Sequence, residues 1–319
     1  MLAIESSTIK AETRTVAMAA SHDCPLVTIV TPSFNQGQYL EKTILSVLRQ
    51  DYPGIEYIVV DSMSTDETPG ILARYAGYIS RIIRDKDRGQ SHALNKGFAM
   101  SSGQVMAWLN SDDCYASPRV VSDAVAYLKE NPGVDLVYGR RKYIDATGFF
   151  ELDYPYREFC QTTLMMTDYI PQECCFWRRE IFDRAGAYID ENFDFAMDYE
   201  LWLRFLASGA CFASVNSFFG LFRYYQEQKS RSQWTNKGLP EVERLHERYL
   251  GRKLEEQVFF GLFMDYYYGF ERSRHPSSEQ IRVNLSGLVG QLRQVAKGIA
   301  PIDGWVHHRD LPGRTDNRR

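Results

Sequence analysis

No run of about 18 apolar residues occurs anywhere in the 319-residue chain, so nothing in it is long enough to cross a bilayer as a helix. The first 25 residues lack a basic start, and their one apolar stretch, Val16 to Ala20, is too brief for a secretory leader. The six cysteines (Cys24, Cys114, Cys160, Cys174, Cys175 and Cys211) never fall in a CxxC pair and two are adjacent. That spacing argues against a disulfide framework and against a zinc site. Together these absences read as a soluble protein of a reducing, cytoplasmic compartment, in which the sequon at Asn284 is an accident of composition. Excess positive charge is missing too: 37 Lys and Arg stand against 41 Asp and Glu, a net −4. No basic field therefore recommends nucleic acid as a partner, and an acidic ligand would need local cations. The 22 Gly and 12 Pro follow no period, which excludes collagen-like chains.

What is present is ordinary globular usage, 44% apolar and 24% charged, at a length that suits two domains or one large α/β domain with an extension. VTIVTP (27–32) is a continuous β-branched run, followed by Leu40, Ile44, Val47 and Leu48 at helical spacing. The unit repeats as IEYIVVD (55–61) with a helix near 67–76, ISRIIR (79–84) with a helix near 90–101, and VMAWL (105–109). Such alternation predicts a mostly parallel central sheet with helices on both faces. Ser117-Pro118 suits the start of the next helix, and VDLVYG (134–139) closes this half.

Beyond 140 the alternation fades. A hairpin is expected around Asp145 to Gly148, then a short helix carrying DYELWLRFLAS (198–208), then two strand-like runs, CFASVN and GLFRYY. After a polar segment (226–239) the composition turns helical. The expected division is a poorly ordered lead-in (1–25), a catalytic-type α/β body (26–235, with halves 26–113 and 114–235), and a helical C-terminal extension (236–319). In that extension Phe259, Phe260, Phe263, Tyr266, Tyr267, Tyr268 and Phe270 suggest helix packing, a second copy, or peripheral contact with the inner face of a membrane.

In open parallel sheets, ligands sit beyond the carboxyl ends of the strands. Those positions are polar here: Ser33-Phe34-Asn35, Asp61 to Asp66, Asp85 to Gln90, and Asn110-Ser111-Asp112-Asp113. Adjacent carboxylates at the end of a buried strand repel unless a cation lies beside them, and hard oxygen ligands select Mg²⁺ or Mn²⁺. An Asp pair can equally cap a helix. DRGQSHALNKGF (87–98) puts Arg88 and Lys96 near a helix start, a setting that attracts anions.

These blocks resemble inverting family 2 glycosyltransferases of the GT-A fold, of the kind that build bacterial surface polysaccharides. The resemblance rests on residues 27–53, VVDSMSTDET (59–68), DRGQSHALNKGF, WLNSDD (108–113), QECCFWRREIF (172–182) and MDYELWLR (197–204), and spans about 27–230. It implies single-sugar transfer from a nucleoside diphosphate sugar, with a UDP-sugar as the expected donor, to a saccharide or lipid-linked saccharide acceptor. Residue by residue it implies that Phe34 and Asp61 contact the base and ribose, that Asp87 is an acidic nucleotide contact, and that Lys96 lies near the diphosphate. Ser111-Asp112-Asp113 resembles the DxD motif, with Asp113 on Mn²⁺ or Mg²⁺ and Asp112 on the ribose or a metal-bound water. Asp198 stands at the place of the catalytic base. Its position at the start of a helix anchored by Leu201, Trp202 and Phe205 also suits a base, with Glu200 as the fallback.

Two departures stand out. Arg223-Tyr224-Tyr225 puts Tyr225 where relatives often carry His, which leaves phosphate contact there to Arg223 or Lys229. QKSRSQW (228–234) does not fit the QxxRW of processive synthases. A catalytically silent binding module remains an alternative, whereas a dinucleotide oxidoreductase would need a GxGxxG that the first turn, with Gly37 alone, does not supply.

Overall fold

A computed structural model describes residues 24–153 and 156–253. The expected lead-in before Cys24, the sequon and the aromatic cluster 259–270 lie outside the described residues. Strands β1 (Val27–Ser33), β2 (Ile55–Asp61), β3 (Arg81–Arg84) and β4 (Val105–Trp108) alternate with helices α1 (Gly37–Leu48), α2 (Thr68–Tyr75) and α3 (Gln90–Ala99), close to the expected bounds. They pair in parallel in the order β3-β2-β1-β4. Every residue of β1 is buried, as a strand covered on both faces requires.

Period-two alternation assigns the side chains. Val27, Ile29, Tyr57, Val59, Val105 and Ala107 face one core with α1 and α2, while Val30, Ile58, Val60, Met106 and Trp108 face the other with α3. Gly97 lets α3 lie against β1, since a Cβ there would come within 2.5 Å of Val30. Because the order runs 3-2-1-4, the chain reverses direction across the sheet between β1 and β4. The β1–β4 ladder ends with the Leu109 N–H donating to Val30 O at 2.9 Å. Pro32, next on that side, has no N–H to lose, and there a crevice opens at the strands' carboxyl ends.

In the second half, where the regular alternation fades, antiparallel strands join the mostly parallel sheet. After β5 (Cys114–Tyr115) and α4 (Val120–Glu130) come β6 (Leu136–Ile144), β7 (Phe150–Asp153), α5 (Gln161–Met166), a single turn (Gln172–Cys174), β8 (Cys175–Arg178), α6 (Arg179–Arg184), α7 (Met197–Ala207) and β9 (Phe212–Arg223). The full order is β3-β2-β1-β4-β8-β6-β9-β5, with β7 on β6. β8 is antiparallel to both β4 and β6, so the sheet is mixed. The hairpin at Asp145 forms as expected, Asp145 Oδ1 accepting the N–H groups of Thr147, Gly148 and Phe149 at 2.8–3.0 Å. The two runs after Cys211 are one twelve-residue strand; polar Asn216 and Ser217 mark only its exposed middle, where its register with β6 shifts. Helix α4 begins at Val120, two residues past Pro118, because Gln50 Oε1 accepts the Val121 N–H at 3.1 Å.

After β9 the chain runs through α8 (Lys229–Ser232) and a π-helical turn (Trp234–Gly238) into α9 (Leu239–Leu250). Val242 and Leu245 of α9 join the core that holds Trp108, Trp177 and Trp202. Residues on either side of 235 thus share one core.

Candidate active site

A cavity of about 830 Å³ opens at the crevice. Its first wall comes from the strand ends: Ser33 at the end of β1 with Phe34 and Gln36 after it, Ser62 after β2, Asp87, Gly89 and Gln90 at the start of α3, and Asn110 to Asp112 after β4. Phe34 stands 61% exposed on the rim, free to meet a flat ring. Asn35, at φ +50°, accepts the N–H of Thr65 with its own side chain and so ties the first loop to the second. Asp87 Oδ1 receives the Gly89 N–H at 3.0 Å, and Gly89 takes φ +128°, which a side chain would resist.

Asp61 is placed differently from a wall residue. Its carboxylate is fully buried below the wall, taking the Arg84 Nε at 2.8 Å and the Ser64 N–H at 3.2 Å. Lys96 also lies off the wall: its Nζ donates to Asp85 and to the carbonyl of Lys86, both at 2.6 Å. Lys229 is the lysine that does reach the cavity. Its Nζ meets Asp194 Oδ1 at 2.8 Å, the Asp194 carbonyl, and Gln90 Oε1 at 3.4 Å.

At the end of β4 the two adjacent aspartates separate. Asp112 lies on the wall and accepts the Tyr225 hydroxyl at 2.9 Å. Asp113, 1% exposed, sits behind it, with Oδ1 accepting the Arg223 N–H at 3.0 Å and Oδ2 buried without a partner. Arg223 is itself buried and holds the corner together, donating to the carbonyls of Asp112 and Asp145 at 2.9 Å. Burial lifts both carboxyl groups above the usual range, Asp113 well above, where Asp112 and then Glu173 add repulsion. Among the described residues no cluster of three or more His, Cys, Asp or Glu forms a ready cage. Two crowded carboxylates, one with a bare oxygen, nevertheless fit a hard divalent ion that takes its other ligands from phosphates and water.

The opposite wall belongs to the second half. Asp198, the second residue of α7, lines the cavity. Its Oδ1 accepts the Tyr199 N–H at 3.0 Å, and no side chain among the described residues pairs with it. The helix is fixed from below, since Trp202 stacks on Trp108 at 6.0 Å and meets Trp177 edge-on. Burial raises Asp198, although Arg141 and Lys229 pull the other way. Asp168 shares the cavity, with a buried, unpartnered Oδ1; burial and then the charge of Asp198 push it well up. Arg141 on β6 forks onto Glu173 at 2.7 and 2.5 Å, neutralising that acid, and stacks on Phe222 at 4.3 Å.

Glu200, the fallback for Asp198, points away from the cavity. It is fully buried and held by Arg204 at 2.8 Å, Tyr249 at 3.0 Å and Arg248 at 3.4 Å. Phe34, Asp87, Asp112 and Asp198 therefore meet in one cavity, while Asp61, Asp113 and Lys96 stay behind or outside its wall. The sequence reading missed Asp168, Glu173 and Arg141. Arg141 and Tyr143 at spacing two within a strand carried a weak signal; Asp168, in an irregular stretch, carried none.

The sequence pattern of glycosyl transferase family 2 matches residues 28–186. An uncharacterized glycosyltransferase of Rickettsia typhi is 30% identical over 189 residues, 57% of this chain and 59% of that one. Another from Mycobacterium tuberculosis is 30% identical over 185 residues, 56% of this chain and 68% of its own length. The chain thus spans less than two thirds of some of the curated relatives it matches. Among solved structures, TarS residues 1–349 of S. aureus in complex with UDP-GlcNAc superposes with a TM-score of 0.59 at 18% identity, covering 85% of this chain and 81% of that one. A mannosyltransferase of Pyrobaculum calidifontis in complex with GDP-Man and Mn²⁺ gives 0.55 at 17% identity, covering 88% and 77%. Both likenesses concern the fold, which is GT-A. Strand order, crevice and sequence pattern agree: the chain belongs to glycosyl transferase family 2.

Proposed function

We propose that the protein transfers a single sugar from a nucleoside diphosphate sugar, with inversion, to an acceptor hydroxyl in the assembly of a polysaccharide or glycolipid. The observation that carries this reading is Asp198, an unpaired carboxylate on a braced helix, across one cavity from a polar wall built of strand ends. A base must first be held in place and then have a suitable pKa; burial acts on the second condition by raising Asp198 above the ordinary carboxylate range. Asp198 accepts the proton of the acceptor hydroxyl as its oxygen attacks the anomeric carbon. Asp168 is a second carboxyl beside it, raised well above the ordinary range by burial and then by the charge of Asp198.

The donor lies along the first wall in this reading, its base against Phe34 and its polar edge near Asp87 and Ser62. Lys229, with Arg141 behind Glu173, supplies positive charge where the diphosphate departs. Asp112 and Asp113 would hold Mn²⁺ or Mg²⁺, which when bound supplies Lewis-acid stabilisation of the leaving group. A UDP-sugar is favoured by the UDP-GlcNAc complex of TarS, and Mn²⁺ by the mannosyltransferase complex. Among the described residues no helix is long and apolar enough to cross a membrane.

Thermal shift with UDP-GlcNAc, UDP-glucose, UDP-galactose and GDP-mannose, each with and without Mn²⁺, tests the proposal. A bound donor raises the melting point by mass action, and the best binder should be hydrolysed slowly without an acceptor. A protein that none of these stabilises and that hydrolyses none would overturn the reading.

A further inference from the structure

Helix α7 starts without a cap of its own. The residue before it, Ala196, has no side chain that can accept a hydrogen bond, yet the N–H groups at a helix start need partners. The N–H groups of Asp194 and Phe195, which lead into the helix, and that of Ala196 instead converge on one carboxylate from elsewhere. Glu241 of α9 takes them at 3.1, 2.8 and 2.9 Å, and is itself 7% exposed. A buried anion against the start of a helix is stabilised by the helix dipole as well as by the bonds. One turn along, Tyr249 and Arg248 of α9 also bond Glu200, a contact that fastens the two helices together without touching the residues before Asp198. Gly238 allows the close approach, because a Cβ there would stand 2.8 Å from Phe195. All of these residues lie beyond 186, where the family match ends.

We propose that Glu241 is a positioning residue for the transfer reaction: by holding three successive backbone N–H groups two to four residues before Asp198, it sets where that carboxylate points into the cavity. The inference rests on the reading of Asp198 as the base. Helix α9 then belongs to the catalytic apparatus although it contributes no group to the cavity beyond Val242.

The test uses the full chain with Glu241→Ala and Glu241→Gln, the latter keeping one acceptor oxygen should the former fail to fold. Amide hydrogen exchange across 190–207 should rise by about tenfold or more, while strands β1 to β4 keep their protection. Hydrolysis of the best-binding nucleotide sugar of the panel should fall by about 10²-fold in kcat, the scale of a small misplacement, with the donor's binding midpoint unchanged. Unchanged exchange, or parental kcat in a variant with raised exchange, overturns the proposal. Asp198→Asn separates the two ideas. If it retains near-parental turnover the base assignment is wrong; if it is dead while the Glu241 variants turn over normally, only the positioning role is lost.

Discussion

The two walls of the cavity are made of different chemistry. The first, from β1 to β4, offers loop amides, an exposed Phe34, Asp87 engaged by the Gly89 N–H and Asp112 engaged by the Tyr225 hydroxyl. The second, from β6 to α8, gathers ionisable side chains: Asp168 and Asp198, two carboxyl groups raised by burial, beside the ion pairs Arg141–Glu173 and Lys229–Asp194. A parallel sheet with a switch point makes a binding crevice almost automatically. Reactive groups need individually shaped surroundings, and these the mixed half supplies through irregular turns and one braced helix.

The sharpest break of this contrast is Asp198→Asn, which keeps the shape and removes the basicity. It should lower kcat by about 10² to 10⁴ and leave the donor midpoint unchanged. In the parent, activity should fall as pH drops through the raised pKa of Asp198, an acid limb above the ordinary carboxylate range, and that limb should vanish in the variant. Behind the first wall, Asp113→Ala should weaken donor binding in Mn²⁺ by about 10²-fold, since a metal clamp on phosphate is worth several kcal/mol, with little change in its absence. Titration calorimetry with and without Mn²⁺ reads the difference.

Glu200→Gln takes the carboxylate two residues from Asp198 and asks for stability alone. Breaking a buried ion pair costs about 3 kcal/mol, equivalent to a melting-point loss of about 6–12 °C at this size, while turnover per folded molecule should stay within about twofold. Asp168→Asn should do the reverse. A folded pKa raised above the unfolded one contributes stability at low pH that is lost as pH rises through the folded value. The variant should therefore melt higher than the parent at pH 8, by a few degrees at about 2–4 °C per kcal/mol, and lose that advantage at pH 4. The smallest effect is expected for Lys96→Ala. An ion pair with exposed Asp85 contributes about 0–1 kcal/mol, and donor affinity should remain within about twofold; a large loss would return Lys96 to the wall.

The first half was legible because its strands are continuous apolar runs and its helices show regular apolar spacing, so bounds, parallel pairing and the polar strand ends all follow locally. The second half was not. β8 enters the sheet antiparallel between β4 and β6, a choice made by Trp177, Phe176 and Cys175 fitting two cores already formed by other elements. Asp198 was readable from its motif, whereas its neighbour Asp168 was not, since no local pattern brings residue 168 beside residue 198.

By itself the sequence determined the α/β class, the crevice at the ends of β1 and β4, and the acids Asp87, Asp112 and Asp198 that reach it. Only the tertiary structure decided which member of each polar pair faces the cavity: Asp112 rather than Asp113, Asp198 rather than Glu200, Lys229 rather than Lys96. The reason is physical. Composition and spacing fix which elements form, but a side chain's role depends on whether a distant partner such as Arg204, Asp85 or Arg223 claims it first, and those partners are chosen only when the chain is folded.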